Sequence, residues 1–318
     1  RRLSKLFYPK PGRPRKRVIF VEDCVGEIPK SAVEKMNQGD VILLENLRFY
    51  PGEENNDSDF AKQLAELGDI FVNDAFGVSH RAHASTAGIT KFLPSCAGFL
   101  LKKEINALSK IMKNPKRPLV SAMGGVKISS KLALVRRFIR FSDKILIGGA
   151  LAATFFKAAG FNVGKSVVEE NMIPAVKKMR KPKGKVYLPV DVVVCSDSEG
   201  KNTAYVRKIN EIKEKEMILD IGPETCRLFA EIIGEAKTIF WNGPMGLAEV
   251  EKFSAGSKVV AKAIARAGAY KVIGGGDAVA VLDKLGLSKK INHISTGGGA
   301  MLEFLAGKEL PGIKALKN

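Results

Sequence analysis

The chain has 318 residues, of which 45% are hydrophobic, and 52 Lys and Arg against 33 Asp and Glu give a formal net charge of +19. This apolar content excludes a mainly disordered chain, and the length predicts two domains of about 150 residues each. The charge favours an anionic partner such as nucleic acid, anionic lipid or a phosphorylated small molecule, and a solvated lysine-rich surface is the alternative.

Cysteine spacing and hydropathy narrow the class of protein further. The four cysteines are far apart and form no C-x-x-C pair, so neither a disulfide framework nor a zinc site is predicted. A reducing cytoplasm is therefore expected. The longest apolar run, at 145–156, is too short to span a bilayer, and no membrane partner is expected.

The first third of the chain alternates short apolar runs with segments of helical period. A continuous amphipathic helix is predicted over 99–112, and the prolines at 115 and 118 end it. The domain boundary is placed across this helix. Upstream of it, strands are predicted at 17–21, 41–44 and 69–72, with helices at 31–36 and 59–67.

In the remainder of the chain, one unit keeps returning: an apolar run, a glycine turn and a helical stretch. Apolar strands that alternate with helices predict a parallel sheet covered on both faces, which is a doubly wound, Rossmann-like α/β fold. Such sheets bind ligands at the carboxyl ends of their strands, where these glycines lie. The strands are predicted at 118–122, 144–147, 216–219, 237–241, 270–273 and 291–294, and the helices from about 129 and at 150–159, 224–233 and 300–305.

Glycine turns at the strand ends are the first candidate site. Without a Cβ, backbone N–H groups can approach an anion, and a following helix N-terminus favours negative charge. One glycine pair alone is more often a tight turn, but several at successive strand ends favour phosphate binding. The candidates are Gly124, Gly125, Gly148, Gly149, Gly274, Gly275, Gly276, Gly297, Gly298 and Gly299.

Charged residues beside these turns add to the candidate site. The spacing of four between Lys127 and Lys131 predicts that both ammonium groups share one helix face, either around an anion or on a solvated surface. Asp277 follows three glycines and is predicted to be either a helix N-cap or a Mg²⁺ ligand. Glu249 is a candidate acceptor for ribose hydroxyls, with an exposed loop carboxylate as the alternative.

Two arginines in the first third follow predicted strand ends. The guanidinium groups of Arg48 and Arg81 suit two-pronged binding of a phosphate or carboxylate. His80 and His83 form an H-x-x-H pair, but no acidic third ligand is near them in sequence, which disfavours a metal site.

Six motifs, taken together, resemble the phosphoglycerate kinase family in order and spacing over essentially the whole chain. The resemblance implies two doubly wound domains joined by a helix about which they close. It also implies reversible transfer of the acyl phosphate of 1,3-bisphosphoglycerate to Mg-ADP, giving 3-phosphoglycerate and ATP in glycolysis. The motifs are LENLRF at 44–49, NDAFG at 73–77 with HRAHAS at 80–85, GGVK at 124–127, WNGPMG at 241–246, GGGD at 274–277 and STGGGA at 295–300.

The resemblance also implies a role for each matching residue. Lys131, Lys127 and Arg81 form the catalytic set, in which Lys131 follows the transferred phosphoryl group. Arg48 and Arg81 hold the phosphoglycerate. On the nucleotide side, the phosphates are bound by Asn242, Lys127 and the turns Gly124–Gly125 and Gly274–Gly276. The adenine lies against Gly148–Gly149, the ribose is bound by Glu249, and the magnesium ion is bound by Asp277. Gly297–Gly299 form a phosphate and hinge loop.

The family pattern further predicts a domain organisation and a departure from it. An incomplete phosphoglycerate-binding domain is expected at 1–98, an interdomain helix at 99–114, a nucleotide-binding domain at 115–298, and a segment returning toward the first domain at 299–318. The chain begins after the family's N-terminal segment, which carries another substrate arginine. We therefore expect this chain to bind nucleotide but to have impaired turnover. The resemblance also implies a monomer, which is the usual form of the family.

Two other functions stay open from the sequence. A non-catalytic nucleotide-binding fragment would share every internal motif. A basic nucleic-acid-binding protein is disfavoured, because only one Trp and five Tyr are present and Trp241 falls in a strand expected to be buried.

Overall fold

A computed structural model describes residues 18–179, 182 and 184–317. The described part forms two compact units: one runs up to Lys102 and resumes at Glu309, and the other is Lys103–Lys308. The division falls inside a continuous helix, Phe99–Lys113, which matches the predicted helix at 99–112. The domain limits predicted from the sequence stay a prediction. Arg17, the first residue of the first predicted strand, lies outside the described residues.

The first unit has short strands joined by helices and long loops. Strands β1 and β2 pair in parallel, with Phe20 opposite Leu43, and β3 and β4 form a second parallel pair. Phe20 and Leu43 are 55% and 49% exposed, so this face of the β1–β2 pair is open to solvent. The elements are β1 Val18–Phe20, α1 Glu27–Glu34, β2 Val41–Leu43, α2 Pro51–Glu54, α3 Ser58–Ala65, β3 Phe71–Asn73 and β4 Ser95–Ala97.

A small apolar core and a C-terminal segment hold this unit together. Helix α3 is preceded by its N-cap residue Asp57, whose side chain accepts a hydrogen bond from Phe60 N at 2.8 Å. Its apolar face, with Phe60 and Leu64, packs into a buried cluster. Near the end of the chain, Gly312 N donates to Ser79 O at 2.9 Å, which places the last short helix in this unit.

The second unit alternates strands and helices along most of its length. The long helix that enters it is α4, Phe99–Lys113. The elements that follow are β5 Leu119–Met123, α5 Leu132–Phe141, β6 Lys144–Ile147, α6 Gly149–Ala158, α7 Ile173–Lys177, β7 Val186–Tyr187, β8 Asp191–Cys195, β9 Tyr205–Lys208, β10 Met217–Ile221, α8 Pro223–Gly234, β11 Thr238–Asn242, α9 Ala255–Arg266, β12 Tyr270–Gly274, α10 Gly276–Lys284, β13 His293–Ser295 and α11 Gly299–Ala306. The last helix of the first unit is α12, Pro311–Lys314.

A parallel sheet forms the centre of the second unit. Its strand order is β13-β12-β11-β5-β6-β7, and every residue of β5 and β11 is buried. Trp241 is fully buried, as predicted. Parallel strands covered on both faces are mostly apolar, as β5 and β11 are, and this sheet confirms the predicted α/β class.

One predicted strand belongs to a different sheet. The apolar run at 216–219 was expected in the parallel sheet, but β10 pairs antiparallel with β8 in a separate sheet of order β10-β8-β9. That part of the prediction was wrong, because an apolar run shows that a strand is buried without showing its partner.

None of the helices within the described residues combines the length and apolar content needed to span a lipid bilayer.

Candidate functional site

Three glycine turns at the carboxyl ends of β5, β6 and β11 pack backbone against backbone. Gly125 N donates to Pro244 O at 2.9 Å, and Gly149 N donates to Met245 O at 2.7 Å. A Cβ on Gly124 would lie 1.9 Å from Pro244 O. Because no side chain fits between these turns, their backbone groups form one continuous surface at this edge of the sheet.

Lys131 lies at the centre of this surface. Its Nζ donates to Gly124 O at 2.6 Å. Gly125 and Gly243 have φ values of +93° and +82°, and a Cβ on them would lie 2.8 and 2.6 Å from that Nζ. Burial lowers the pKa of Lys131 to about 8, against the opposing effect of the Asp277 charge. The ammonium is therefore a poorly solvated cation between the glycine turns.

The predicted pairing of Lys127 with Lys131 on one helix face was wrong. Helix α5 begins only at Leu132, so Lys131 precedes it and Lys127 lies in the turns before it, exposed to solvent. Ser129 holds these turns through its N and Oγ, which donate to Glu169 at 2.9 and 2.6 Å. Burial acts to raise the pKa of Glu169, but these bonds and the Lys127 charge lower it. The sequence offered no signal for this distant partner.

The turn after β12 is held by Asn242 from the neighbouring strand. Asn242 is buried, and its Nδ2 donates to Gly274 O at 2.8 Å. Gly275 has φ +93°, and a Cβ there would lie 2.9 Å from that Nδ2. Gly276 begins α10, and Asp277 lies in its first turn. Two predicted groups, Asn242 and the Gly274–Asp277 turn, are thus in direct contact.

A cavity lies beside these turns, and four of the predicted site residues line it. Gly125, Gly149, Glu249 and Asp277 all line it. Most of the remaining wall is apolar, which suits a planar ring rather than a second charged group. This wall was not predicted, since its residues carry no local signal and come from separate segments; it includes Val126, Ala150, Val167, Leu219 and Leu247.

Asp277 is the carboxylate predicted to hold a divalent ion, and it lines this cavity. Among the described residues, no group of three His, Cys, Asp or Glu side chains gathers in a way that could hold a metal. Asp277 and Glu249 are both exposed carboxylates on the cavity wall, and they come from separate segments. One such carboxylate, Asp277, fits Mg²⁺ that arrives already bound to phosphate oxygens, since Mg²⁺ uses few protein ligands in such sites. It does not fit a resident metal.

The third predicted glycine run is linked to helix α4. Glu104 of α4 accepts hydrogen bonds from Thr296 N at 2.7 Å and Thr296 Oγ1 at 2.9 Å, and its Oε2 lies 2.8 Å from His293 Nε2. Burial acts to raise the pKa of Glu104, but the bonds from His293 and Thr296 lower it. Gly297–Gly299 follow this contact and are not among the residues that line the cavity.

In the first unit the two predicted arginines meet at one acid. Arg48 Nε lies 3.7 Å and Arg81 Nη1 3.8 Å from Glu54 Oε1, and each arginine side chain is 45% exposed. Glu54 was not predicted, and nothing near it in sequence pointed to this role. Since one carboxylate faces two cations, the cluster keeps net positive charge for an anion.

His83 lies beside the arginines in a buried network. Its Nδ1 is 3.4 Å from Glu53 Oε1, and Glu53 also accepts hydrogen bonds from Ser85 N at 2.9 Å and Ser85 Oγ at 2.6 Å. His83 and Arg48 line the same cavity. The arrangement is that of a hydrogen-bonded support for the arginine cluster.

The chain is similar to phosphoglycerate kinases along nearly its whole length. The family model described as phosphoglycerate kinase matches residues 1–308. Phosphoglycerate kinase from Pelotomaculum thermopropionicum is 48% identical over 320 residues, 99% of this chain and 80% of the relative. The enzyme from Geotalea uraniireducens is 50% identical over 308 residues, 95% of this chain and 77% of the relative.

Solved structures show the same likeness. Phosphoglycerate kinase from Coxiella burnetii matches with a TM-score of 0.85 and 39% identity, over 99% of this chain and 79% of that structure. The Pyrococcus horikoshii enzyme matches with a TM-score of 0.84 and 34% identity, over 94% of this chain and 78% of that structure.

Proposed function

The chain belongs to the phosphoglycerate kinase family, and we propose that its second unit binds ADP or ATP and its first unit 3-phosphoglycerate or 1,3-bisphosphoglycerate. Its function is that of a phosphoglycerate kinase, a phosphotransferase of glycolysis. The observation that carries the assignment of roles is the poorly solvated Lys131 ammonium among three glycine turns, beside a cavity with an apolar wall.

The cavity supplies a place for each part of a nucleotide. The base would lie against the apolar wall formed by Val126, Leu219 and Leu247, next to Gly149. Glu249 is exposed on the same wall and would accept hydrogen bonds from ribose hydroxyls. The phosphates would then reach the turn after β12, where α10 begins at Gly276 and Asn242 lies against Gly274.

Phosphoryl transfer itself makes few chemical demands on the protein. The bond between phosphorus and the carboxylate oxygen of the acyl phosphate breaks, and a bond from phosphorus to a β-phosphate oxygen of ADP forms. The leaving carboxylate needs no proton, so the protein's task is to orient the groups and neutralise their charge. Lys131 would follow the moving phosphoryl group, and Lys127 would contact the nucleotide phosphates from its exposed turn. Asp277 would hold the Mg²⁺ that accompanies the nucleotide, where a divalent ion neutralises phosphate oxygens.

The arginine cluster of the first unit would bind the acid substrate. Arg48 and Arg81 present their guanidinium groups together because Glu54 lies between them. A phosphate would replace the long contacts to Glu54 with shorter, two-pronged ones. Arg81 is the arginine that we assign to the catalytic set.

We further propose a monomer in a reducing cytoplasm, without a nucleic-acid partner. All four cysteines are free thiols, three of them buried, which suits a reducing compartment. Trp241 is fully buried, so this aromatic surface is not available to stack on a nucleic-acid base.

Three variants test these roles in a coupled assay combined with calorimetric titration of ADP. Lys131→Met should lower kcat by at least about 100-fold, since it removes a positioned charge at the transferred group. Arg48→Ala should raise the KM for 3-phosphoglycerate while ADP affinity stays unchanged. Arg117→Ala is the control, because that exposed arginine pairs with Asp143 away from either site.

The outcomes separate the candidate functions. ADP binding without any turnover would favour a non-catalytic nucleotide-binding fragment over an active kinase. An Arg48→Ala variant with an unchanged KM would contradict the assignment of the acid substrate to the arginine cluster. The expected impairment of turnover stays a prediction, which the wild-type kcat in the same assay measures.

A further inference from the structure

Asp220 is a buried acid that has no part in the proposed chemistry. It lies in β10, is 1% exposed, and directly follows Leu219 of the cavity wall. A carboxylate in such a place is costly unless several groups satisfy it, so its contacts indicate what it does there.

The carboxylate fills a slot between β10 and two other segments. Its Oδ2 accepts a hydrogen bond from Gly256 N at 2.8 Å, at the start of α9, and its Oδ1 accepts one from Ile221 N at 2.9 Å. A Cβ on Gly246 would lie 2.2 Å from Oδ1, and one on Gly256 would lie 2.4 Å from it. The slot therefore exists only because both neighbours are glycine, and Gly246 itself lines the cavity.

Other hydrogen bonds join the same three segments on either side of Asp220. Leu247 N donates to Leu219 O at 2.7 Å, and both residues line the cavity. Met245 N donates to Ser257 Oγ at 2.9 Å, which ties the turn after β11 to α9. Asp220 is thus the buried acid at the centre of the junction that sets the position of the apolar wall.

We infer that Asp220 is a positioning residue for the nucleotide's base and ribose: through Gly246 and Gly256 it sets the place of the wall formed by Leu219 and Leu247. The inference rests on the proposed function, since it assigns a role within the nucleotide site. An apolar residue would satisfy strand packing alone at least as well, because a buried carboxylate without a cation lowers stability.

The charge state of Asp220 offers a separate readout. Burial raises its pKa to about 7, although the bonds from Gly256 and Ile221 act to lower it. The titratable groups that face this region are Cys226 on α8 and Asp191 on β8; burial, Asp220 and Asp191 together raise the pKa of Cys226 to about 12. Below pH 7 the protonated carboxyl loses acceptor capacity, so base binding should weaken there.

The test compares Asp220→Asn with Asp191→Asn. Asp191 is also a buried acid, and it accepts hydrogen bonds from Glu224 N at 3.0 Å and Thr225 N at 2.7 Å at the start of α8, but it does not line the cavity. Binding of ADP and of adenosine is measured by titration, together with urea unfolding. Because adenosine carries no phosphate, Lys131 cannot affect its affinity.

Asp220→Asn should weaken ADP and adenosine by the same factor, about tenfold, and raise the KM for ADP with little change in kcat. Wild-type affinity for adenosine should rise between pH 6 and pH 8, and this rise should be absent in Asp220→Asn. Asp191→Asn should lower stability and leave adenosine affinity and its pH profile unchanged. If Asp220→Asn does not fold, Gly256→Ala displaces the same carboxylate from outside the cavity and should give the same loss.

The inference would be overturned if Asp220→Asn bound adenosine as tightly as the wild type does. It would also be overturned if Asp191→Asn lost as much adenosine affinity as Asp220→Asn. An unchanged adenosine affinity in Gly256→Ala would overturn it as well. If the wild-type protein bound neither ADP nor adenosine, the proposed nucleotide site would fail and the inference with it.

Discussion

The lysine between the glycine turns should give the protein a distinctive dependence of stability on pH. The pKa of Lys131 falls from 10.5 to about 8 on folding, chiefly through burial, and at ~1.4 kcal/mol per unit this is about 3 kcal/mol. Below pH 8 both the folded and the unfolded state carry the proton, so the folded state holds a cation in a site that disfavours it.

Between pH 8 and pH 10.5 the folded state loses this proton while the unfolded state keeps it. Stability rises with pH wherever the unfolded state binds more protons, so the free energy of unfolding should gain about 3 kcal/mol from this group across that window. Lys131→Met keeps the length of the side chain and removes the charge. The wild-type value minus the Lys131→Met value should therefore rise by about 3 kcal/mol from pH 8 to pH 10.5.

Urea unfolding at several pH values measures this difference, and Lys127→Met is the matched control. Lys127 is exposed, so its removal should leave the pH dependence as it is in the wild type. A second measurement uses ADP, whose phosphates should restore the Lys131 proton. Near pH 9, calorimetry in buffers of different ionisation enthalpy should show proton uptake on ADP binding to the wild type and none in Lys131→Met. Parallel stability curves for the wild type and Lys131→Met would refute the reasoning.

Three further predictions concern other parts of the molecule. Gly125→Ala and Gly286→Ala both place alanine at positive φ, +93° and +65°, and each should lower the free energy of unfolding by about 1–2 kcal/mol. Only Gly125→Ala should also weaken ADP binding, because its Cβ would lie 2.8 Å from the Lys131 ammonium. Equal ADP affinity in the two variants would contradict the close packing of the turns. Glu104→Ala should cost about 1–3 kcal/mol in urea unfolding at pH 7, since it leaves the His293 ring and Thr296 N without their hydrogen-bond partner. Because the pKa of Glu104 is lowered, the advantage of the wild type over Glu104→Gln should be full above pH 4.5 and shrink as the pH falls below it; a constant difference would contradict this. Of the four thiols, exposed Cys96 should react with a disulfide reagent in the native protein and the buried ones only on unfolding, so rapid reaction of all four would contradict the fold.

Much of the second unit followed from local pattern. The helix predicted at 99–112 is Phe99–Lys113, and the strand predicted at 144–147 has those limits in the structure. These predictions succeed because side-chain period and glycine or proline breaks are properties of neighbouring residues. The six motifs also placed the family, which the comparisons confirm.

Local sequence patterns did not predict which distant segments pair with each other. The run at 216–219 was expected in the parallel sheet, but β10 pairs antiparallel with β8, because the partner of a strand depends on long-range contacts. Lys127 and Lys131 have helical spacing, but hydrogen bonds from Ser129 to Glu169 hold Lys127 in turns outside the helix. Each error arose where one contact from far along the chain outweighed a local preference.

By itself, the sequence determined the α/β class, the glycine turns at the strand ends and the family of the protein. The tertiary structure alone decided which groups meet: Glu54 between two arginines, the Lys131 ammonium among three turns, and Asp220 behind the apolar wall. The physical reason is that period and turn chemistry act over a few residues, whereas burial, pKa shifts and the shape of a cavity come from segments brought together by folding.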